Sequence, residues 1–289
     1  MQHFIAIFID GLTQGSVYAL VALGIVLLQN ATGVINFAQG DLMTLGAYVG
    51  FFFLVQRHLS QLAMYAVAIV LLFIAGVVIE RVGYAPLRNR NPLTIVISTF
   101  ALGLLIRSGL VVWQGPDPRN LPAPFEQTVN VLGAHVPAQS ILTIVVTAIV
   151  GAGLYVMFRW TALGRQVRAL AVDREAAILQ GIRVKRLSPL IFGLSSALAG
   201  LAGILVAPIL AVSSGLGFGL LLSSFAAVIL GGERLGGAAF AALFVAEFQA
   251  LATAYVNPNY GDAYPFLVLV LVLAIRPQGL VRMVTGVRY

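Results

Sequence analysis

The sequence predicts an all-α, polytopic integral membrane protein with eight or nine crossings, one or more of them broken or re-entrant. Composition is the first reason. Of 289 residues, 60% are hydrophobic and 9% charged, whereas soluble domains carry roughly a quarter charged. The second reason is spacing: apolar stretches recur along the whole chain near the roughly 20 residues that a membrane helix needs. The third is that the basic residues gather in short clusters between those stretches, as membrane topology requires.

The chain reads as one membrane domain, 1–289. Phe4–Leu28 has no basic segment before it and no small-residue cleavage site after it, so it is taken as a membrane helix rather than a signal peptide. Leu42–Val55, Leu62–Ile79, Leu93–Trp113 and Ser140–Phe158 follow. Leu187–Gly232 contains no charge and is long enough for two crossings. Leu235–Tyr255 and Tyr264–Ile275 complete the set. Leu42–Val55 and Tyr264–Ile275 are short, which points to tilted or broken spans.

Orientation follows from Arg and Lys in short loops. The clusters Arg81–Arg90, Arg159–Arg186, Arg234 and Arg276–Arg288 all fall on the cytoplasmic side when two spans separate each from the next. The N-terminus is then outside. So is Gln114–Gln139, rich in Pro, Asn and Gln, which reads as an ordered extracytoplasmic loop. The net charge of +7 therefore concerns orientation in a lipid bilayer. A nucleic-acid partner would need a polar domain carrying a basic stripe, and the chain has none.

Several chemistries are excluded. There is no cysteine, hence no thiolate metal site or cysteine nucleophile. No G-x-x-x-x-G-K-[ST] exists and Lys185 is the one lysine, so no P-loop can hold nucleotide phosphates. His3, His58 and His135 are scattered without metal-ligand spacing. The expectation is a protein without catalytic residues, metal or cofactor of its own.

The longest inner segment, 159–189, contains "TALGRQVRALAVDREAAILQGIRVKRLSP". No Pro or Gly interrupts Gly164 to Gly181, and Val167, Leu170, Ala171, Arg174, Ala177 and Ile178 follow a helical repeat. Arg165 and Arg168 stand at i, i+3, and Asp173 and Glu175 lie on the charged side. Gly181 is placed to stop this helix, and Pro189 to restart the chain into the next span. Such an amphipathic helix either lies on anionic lipid or seats in a groove of a cytoplasmic partner.

Glu175-Ala176-Ala177-x-x-x-Gly181 resembles the EAA-type coupling loop of ABC importer permeases. In order along the chain come "GLTQGSVYALVALGIVLLQNATGVINFAQGDLMTLGAY", the 159–189 loop, "LSSALAGLAGIL", "AVILGG" and "RPQGL". Together these resemble the permeases of branched-chain amino acid ABC importers, LivH type, over nearly the whole chain. The resemblance implies the ABC-importer permease fold in a bacterial inner membrane. It also implies two ABC ATP-binding subunits that bind the ATP, a second permease subunit, most simply a paralogue, and an extracytoplasmic substrate-binding protein. Arg165, Arg168, Asp173, Glu175, Ala176, Ala177 and Gly181 would form the ATPase-coupling loop. Two departures bear on substrate: Gln39-Gly40-Asp41 stands where many members have His-Gly-Glu, and Glu233-Arg234 follows Gly231-Gly232 where small residues are usual. The same family serves urea, short amides and other carboxylates.

"INFAQGDLMTLGAY", residues 35–48, interrupts an otherwise uncharged region. Gly33 and Gly40 bracket a segment free to leave helical geometry. It is either a cytoplasmic turn or a helix break beside a translocation path. On the second reading Asn36, Gln39, Gly40 and Asp41 line or gate the path. Gly215, Gly217 and Gly219 make a continuous helix improbable, which marks either a broken transporter helix or close packing through the Gly215/Gly219 pair. Glu247 is a buried carboxylate assigned to the path or to packing against an Arg or amide. Arg107 is expected to snorkel to the outer headgroups.

The resulting expectation is an importer permease moving branched-chain amino acids by ATP-driven alternating access. A secondary transporter or channel would more often carry a cluster of buried charges for ion coupling, and here Asp41, Arg107 and Glu247 are the candidates. A membrane-embedded enzyme would need convergent acid, base or metal groups.

Overall fold

The computed structural model describes residues 2–125, 127–232 and 234–275, and within them the protein is a helical bundle. Glu233 and the segment from Arg276 onward, including "RPQGL", lie outside the described residues. Among the described residues, seven helical stretches are long and apolar enough to cross a membrane: Gln2–Thr32, Gln61–Tyr84, Pro92–Gln114, Ala138–Trp160, Val184–Val206, Leu235–Tyr255 and Pro258–Ile275. We number the α-helices α1 (Gln2–Thr32), α2 (Gln39–Phe51), α3 (Gln61–Ile79), α4 (Pro92–Gln114), α5 (Ala138–Trp160), α6 (Ala162–Val172), α7 (Arg174–Leu179), α8 (Val184–Val206), α9 (Leu216–Leu230), α10 (Leu235–Tyr255) and α11 (Tyr264–Ile275). At 13 and 15 residues, α2 and α9 are shorter than a crossing requires.

The bundle is built around α1 and α8. Their most apolar windows are 89% and 83% buried inside the protein, against 22% for α4 and α5. A helix apolar on every side belongs in such an interior. The peripheral helices α3, α4 and α5 instead turn much of their apolar surface outward, as lipid-facing helices do. α1 packs against α5, α8, α9 and α10, while α8 holds α2 and α3 on its other flank. Small residues bring the backbones together here, Gly46 of α2 lying directly on Gly200 of α8.

One end of the bundle carries Arg81–Arg90, α6 and α7; the other carries a β-hairpin. We refer to these as the basic end and the hairpin end. Within 114–139, strands β1 (Thr128–Val131) and β2 (Ala134–Pro137) pair antiparallel. Leu132 and Gly133 both take positive φ, 51° and 91°, in the two-residue turn. The Asn130 side chain accepts from Gly133 N at 2.8 Å. The stretch was legible as an ordered loop, but its strands were hidden because four-residue strands give too short an alternation to detect.

Three local expectations are corrected. α2 starts earlier than Leu42, at Gln39, and continues through a π-helical turn, Phe52–Gln56. The segment read as one helix from Gly164 to Gly181 is two. Asp173 adopts φ −153°, ψ 106°, and its carboxylate caps α7 by accepting from Ala176 N at 2.9 Å. An Asp competes for backbone in this way wherever the chain offers a start. Pro189 does not restart the chain but lies inside α8, which begins at Val184.

Candidate functional site

Two helices begin deep inside the bundle, and their first turns touch. The first is α2. α1 ends at Thr32, Gly33 turns the chain with φ 73°, and residues 34–38 run without helix until Gln39. The depth of this break can be read from its neighbours. Phe37 N donates to Thr99 Oγ1 at 3.3 Å, and Thr99 lies about 10 Å along α4 from its basic end. Gln39 Nε2 donates to the Ser195 carbonyl at 2.9 Å, and Ser195 Oγ donates to the Gly24 carbonyl at 2.8 Å. Ser195 is about 16 Å along α8, and Gly24 about 12 Å along α1, from that same end. Set against a hydrocarbon core of about 30 Å, α2 starts near its middle.

The second is α9. Residues 207–215 leave α8 at the hairpin end, where Val212 and Arg119 exchange backbone hydrogen bonds at 2.7 and 2.8 Å. They then descend until Gly215 caps α9. Gly217 in its first turn lies on the Gly40 backbone so closely that a β-carbon at either glycine would strike the other's carbonyl. Gly217 N donates to Thr44 Oγ1 at 3.0 Å, satisfying an amide that the helix start leaves open. Unwound backbone at membrane depth persists only where protein or a wet cavity satisfies it, and both breaks obey this.

The break is therefore no surface turn: Asn36, Gln39, Gly40 and Asp41 are all buried. Asn36 Oδ1 accepts from Ala38 N at 3.0 Å, while its Nδ2 donor is buried without a partner. Asp41 accepts from Arg107 Nε at 2.9 Å. Arg107 thus does not snorkel. It turns inward from α4, its guanidinium 5.1 Å from the centre of the Phe218 ring on α9. The sequence flagged Arg107 as costly, but only the packing of α2 between α4 and α9 supplies its partners. Thr44, Ser195 and Phe218 carried no sequence signal of their own.

Of the expected path residues, Asn36, Gln39, Gly40, Asp41 and Gly217 come together. Gly215 is the cap of α9 with open space around it, as is Gly219, so the packing pair is Gly40/Gly217 and not Gly215/Gly219. Glu247 lies elsewhere. Its carboxylate sits against Gly11 in the α1–α10 contact, both oxygens buried without a hydrogen-bond partner. The amide near it, Gln249, accepts instead from the Tyr18 hydroxyl at 2.8 Å.

At the basic end, the charged loop is tied to the bundle. Arg168 Nη1 donates to the Phe158 carbonyl and Arg165 Nη1 to that of Trp160 at 3.2 Å. Both arginines thereby serve the open carbonyls at the end of α5. Arg174 Nη1 donates to the Thr32 carbonyl at 2.6 Å, and its Nη2 lies 3.4 Å from the Tyr84 hydroxyl. Ala177 is buried, Ala176 half-buried and Glu175 exposed, and Gly181 ends the loop at φ 90°. Val172 and Leu179 point outward, 87% and 88% exposed, beside Ile178.

The chain is 30% identical to the branched-chain amino acid permease LivH of Salmonella typhimurium, across 96% of this chain and 95% of that protein. It is 32% identical to the BraD permease of Pseudomonas aeruginosa, across 97% and 96%. It is also 30% identical to the ribose import permease RbsC of Escherichia coli, across 78% and 69%. Its fold is similar to that of PsaBC from Streptococcus pneumoniae, at a TM-score of 0.53, 14% identity, and coverage of 93% and 91%. The family model for the branched-chain amino acid transport system permease component matches residues 7–273, and the chain belongs to that family.

Proposed function

We propose that this protein imports branched-chain, apolar amino acids by ATP-driven alternating access. As a family member it is a non-catalytic, multi-pass permease subunit of the inner membrane. On this reading α2 with its π-helical turn, and α9 with the descending residues 207–215, complete two further crossings, nine with the seven long helices. The basic end is cytoplasmic and meets two ATP-binding subunits. A second permease completes the path, and a substrate-binding protein docks at the hairpin end.

The observation that carries the mechanism is a short line of contacts from loop to break. Arg174 in the loop holds Thr32, and one residue further on Gly33 opens the non-helical segment that leads to Gln39 and Asp41. Movement of α7 by a closing ATPase is thereby passed to the mouth of α2. Rigid elements with a hinge between them are how such displacements reach a remote site. The exposed Val172, Ile178 and Leu179 supply the apolar anchors a helix-in-groove contact needs.

Co-purification tests the assignment. Tagged protein expressed with its native partners should bring down an ATP-binding subunit, and Glu175→Lys and Gly181→Pro should release it. Purification of the chain alone, with solute flux in liposomes lacking ATP, would sink the importer reading in favour of a secondary transporter or channel. Uptake of urea or short amides in preference to leucine by the intact complex would instead move the substrate within the same family.

A further inference from the structure

The Asp41–Arg107 pair is one of two ion pairs among the described residues, the other joining neighbours Glu80 and Arg81 at 3.8 Å. It is not sealed into the core. The Asp41 side chain is 7% exposed, but that of Arg107 keeps 28% of its surface open and Phe218 keeps 36%. α4 and α9 stand on either side of α2, and Arg107 reaches across from α4 to the Phe218 ring. Phe37, four residues before Asp41, packs on Phe225 of α9 with ring centres 6.1 Å apart. The result is a carboxylate and a guanidinium side by side, the guanidinium against an aromatic ring, where two helices start at mid-depth.

We propose that this pair reads the zwitterion of an α-amino acid: Arg107 takes the substrate carboxylate, Asp41 its ammonium, and Phe218 its apolar side chain. This rests on the reading that the break at 33–38 borders the translocation path. An uncompensated charge in a low-dielectric setting is costly, and breaking a buried pair leaves two. A zwitterion entering between Asp41 and Arg107 replaces one ion pair by two, so no charge stands alone at any stage. A substrate with only a carboxylate strands Asp41, and one with only an ammonium strands Arg107. Urea, amides and sugars offer no charge and leave the pair closed. The arginine fork also matches a carboxylate in two-point geometry.

The absence of cysteine allows a direct test on the full complex with its ATP-binding subunits and second permease. Gly215 lies three residues before Phe218, hence on the same side of the α9 start, and a side chain there meets nothing within 4 Å. Gly215→Cys places a single thiol on this chain in the turn that carries Phe218, to be labelled with a membrane-impermeant methanethiosulfonate. Labelling is scored on this chain's own gel band, so partner cysteines do not interfere. Leucine should protect the thiol. Leucinamide, which lacks the carboxylate, and 4-methylpentanoate, which lacks the ammonium, should not. Adding Arg107→Gln should raise the leucine concentration for half-protection by about tenfold or more, as expected for loss of a charge-assisted contact. Should that variant not fold with Asp41 left unpaired, Asp41→Asn with Arg107→Gln removes both charges together and carries the same expectation. A thiol that labels but is protected equally by all three compounds, or by none, overturns the zwitterion assignment and leaves the path reading standing. A thiol that the reagent never reaches removes the path reading, and the proposal falls with it.

Discussion

Arg174 of α7 donates from Nη1 to the carbonyl oxygen of Thr32, the last residue of α1, at 2.6 Å across 142 residues of sequence. A helix end leaves such carbonyls without partners, and here the partner comes from the charged loop at the basic end. The arginine satisfies the fold and at the same time ties the loop to the segment where α1 gives way to α2.

Arg174→Gln should therefore separate ATP hydrolysis from transport. In proteoliposomes holding the whole importer, ATP turnover is expected to stay within about twofold, while leucine taken up per ATP falls several-fold. The removed contact is a charge-assisted bond of about 1.5–3 kcal/mol. Equal loss of both activities would mean that Arg174 acts only in assembly.

Gly217 against Gly40 offers a steric test. Gly217→Val places side-chain atoms in the Gly40 backbone, and overpacking of this kind costs about 1–3 kcal/mol. The variant should melt several degrees lower in detergent and lose uptake. Gly219→Ala faces open space and should match the parent in both. Comparable losses from the two would show that helix α9, and not the contact, is sensitive there.

Gln39 and Ser195 test the support of the break. Gln39 Nε2 donates to the Ser195 carbonyl, and Ser195 Oγ lies 3.1 Å from Gln39 Oε1. Gln39→Leu takes the side-chain donor from that buried carbonyl, while Ser195 Oγ keeps the Gly24 carbonyl, for a loss of about 1–3 kcal/mol. Ser195→Ala removes one hydroxyl and should lose less, about 0.5–1.5 kcal/mol. Thermal melting of the purified complex gives the order; the reverse order would argue that Ser195 to Gly24 is the contact that matters.

Leu179, being 88% exposed, contributes little to the stability of this chain. Leu179→Asp is expected to leave its melting temperature unchanged and to abolish recovery of the ATP-binding subunit in a pull-down. Retention of that subunit would remove the apolar tip of α7 from the docking surface. Asp173→Ala, which uncaps α7, should weaken recovery without eliminating it, since a cap contributes about 0.5–2 kcal/mol.

The amino-acid sequence by itself determined the solvent of this protein. A run of apolar residues in a membrane has little choice but helix, because its backbone polar groups find no other partner there. The long spans and the two-helix content of 187–232 follow from that local rule, as does the amphipathic basic loop. What the sequence left open was every meeting of distant residues. Asn, Gly and Asp at 36–41 spell a surface turn as readily as a break at mid-depth, and only the neighbours Thr99, Ser195 and Gly217 distinguish the two. Arg107 was visible as a charge in the wrong place, yet Asp41 lies 66 residues away. Gly217 finds Thr44 across 173. No periodicity encodes such pairs. They exist because α2 lies between α4 and α9, and that packing is decided by how the bundle closes around α1 and α8.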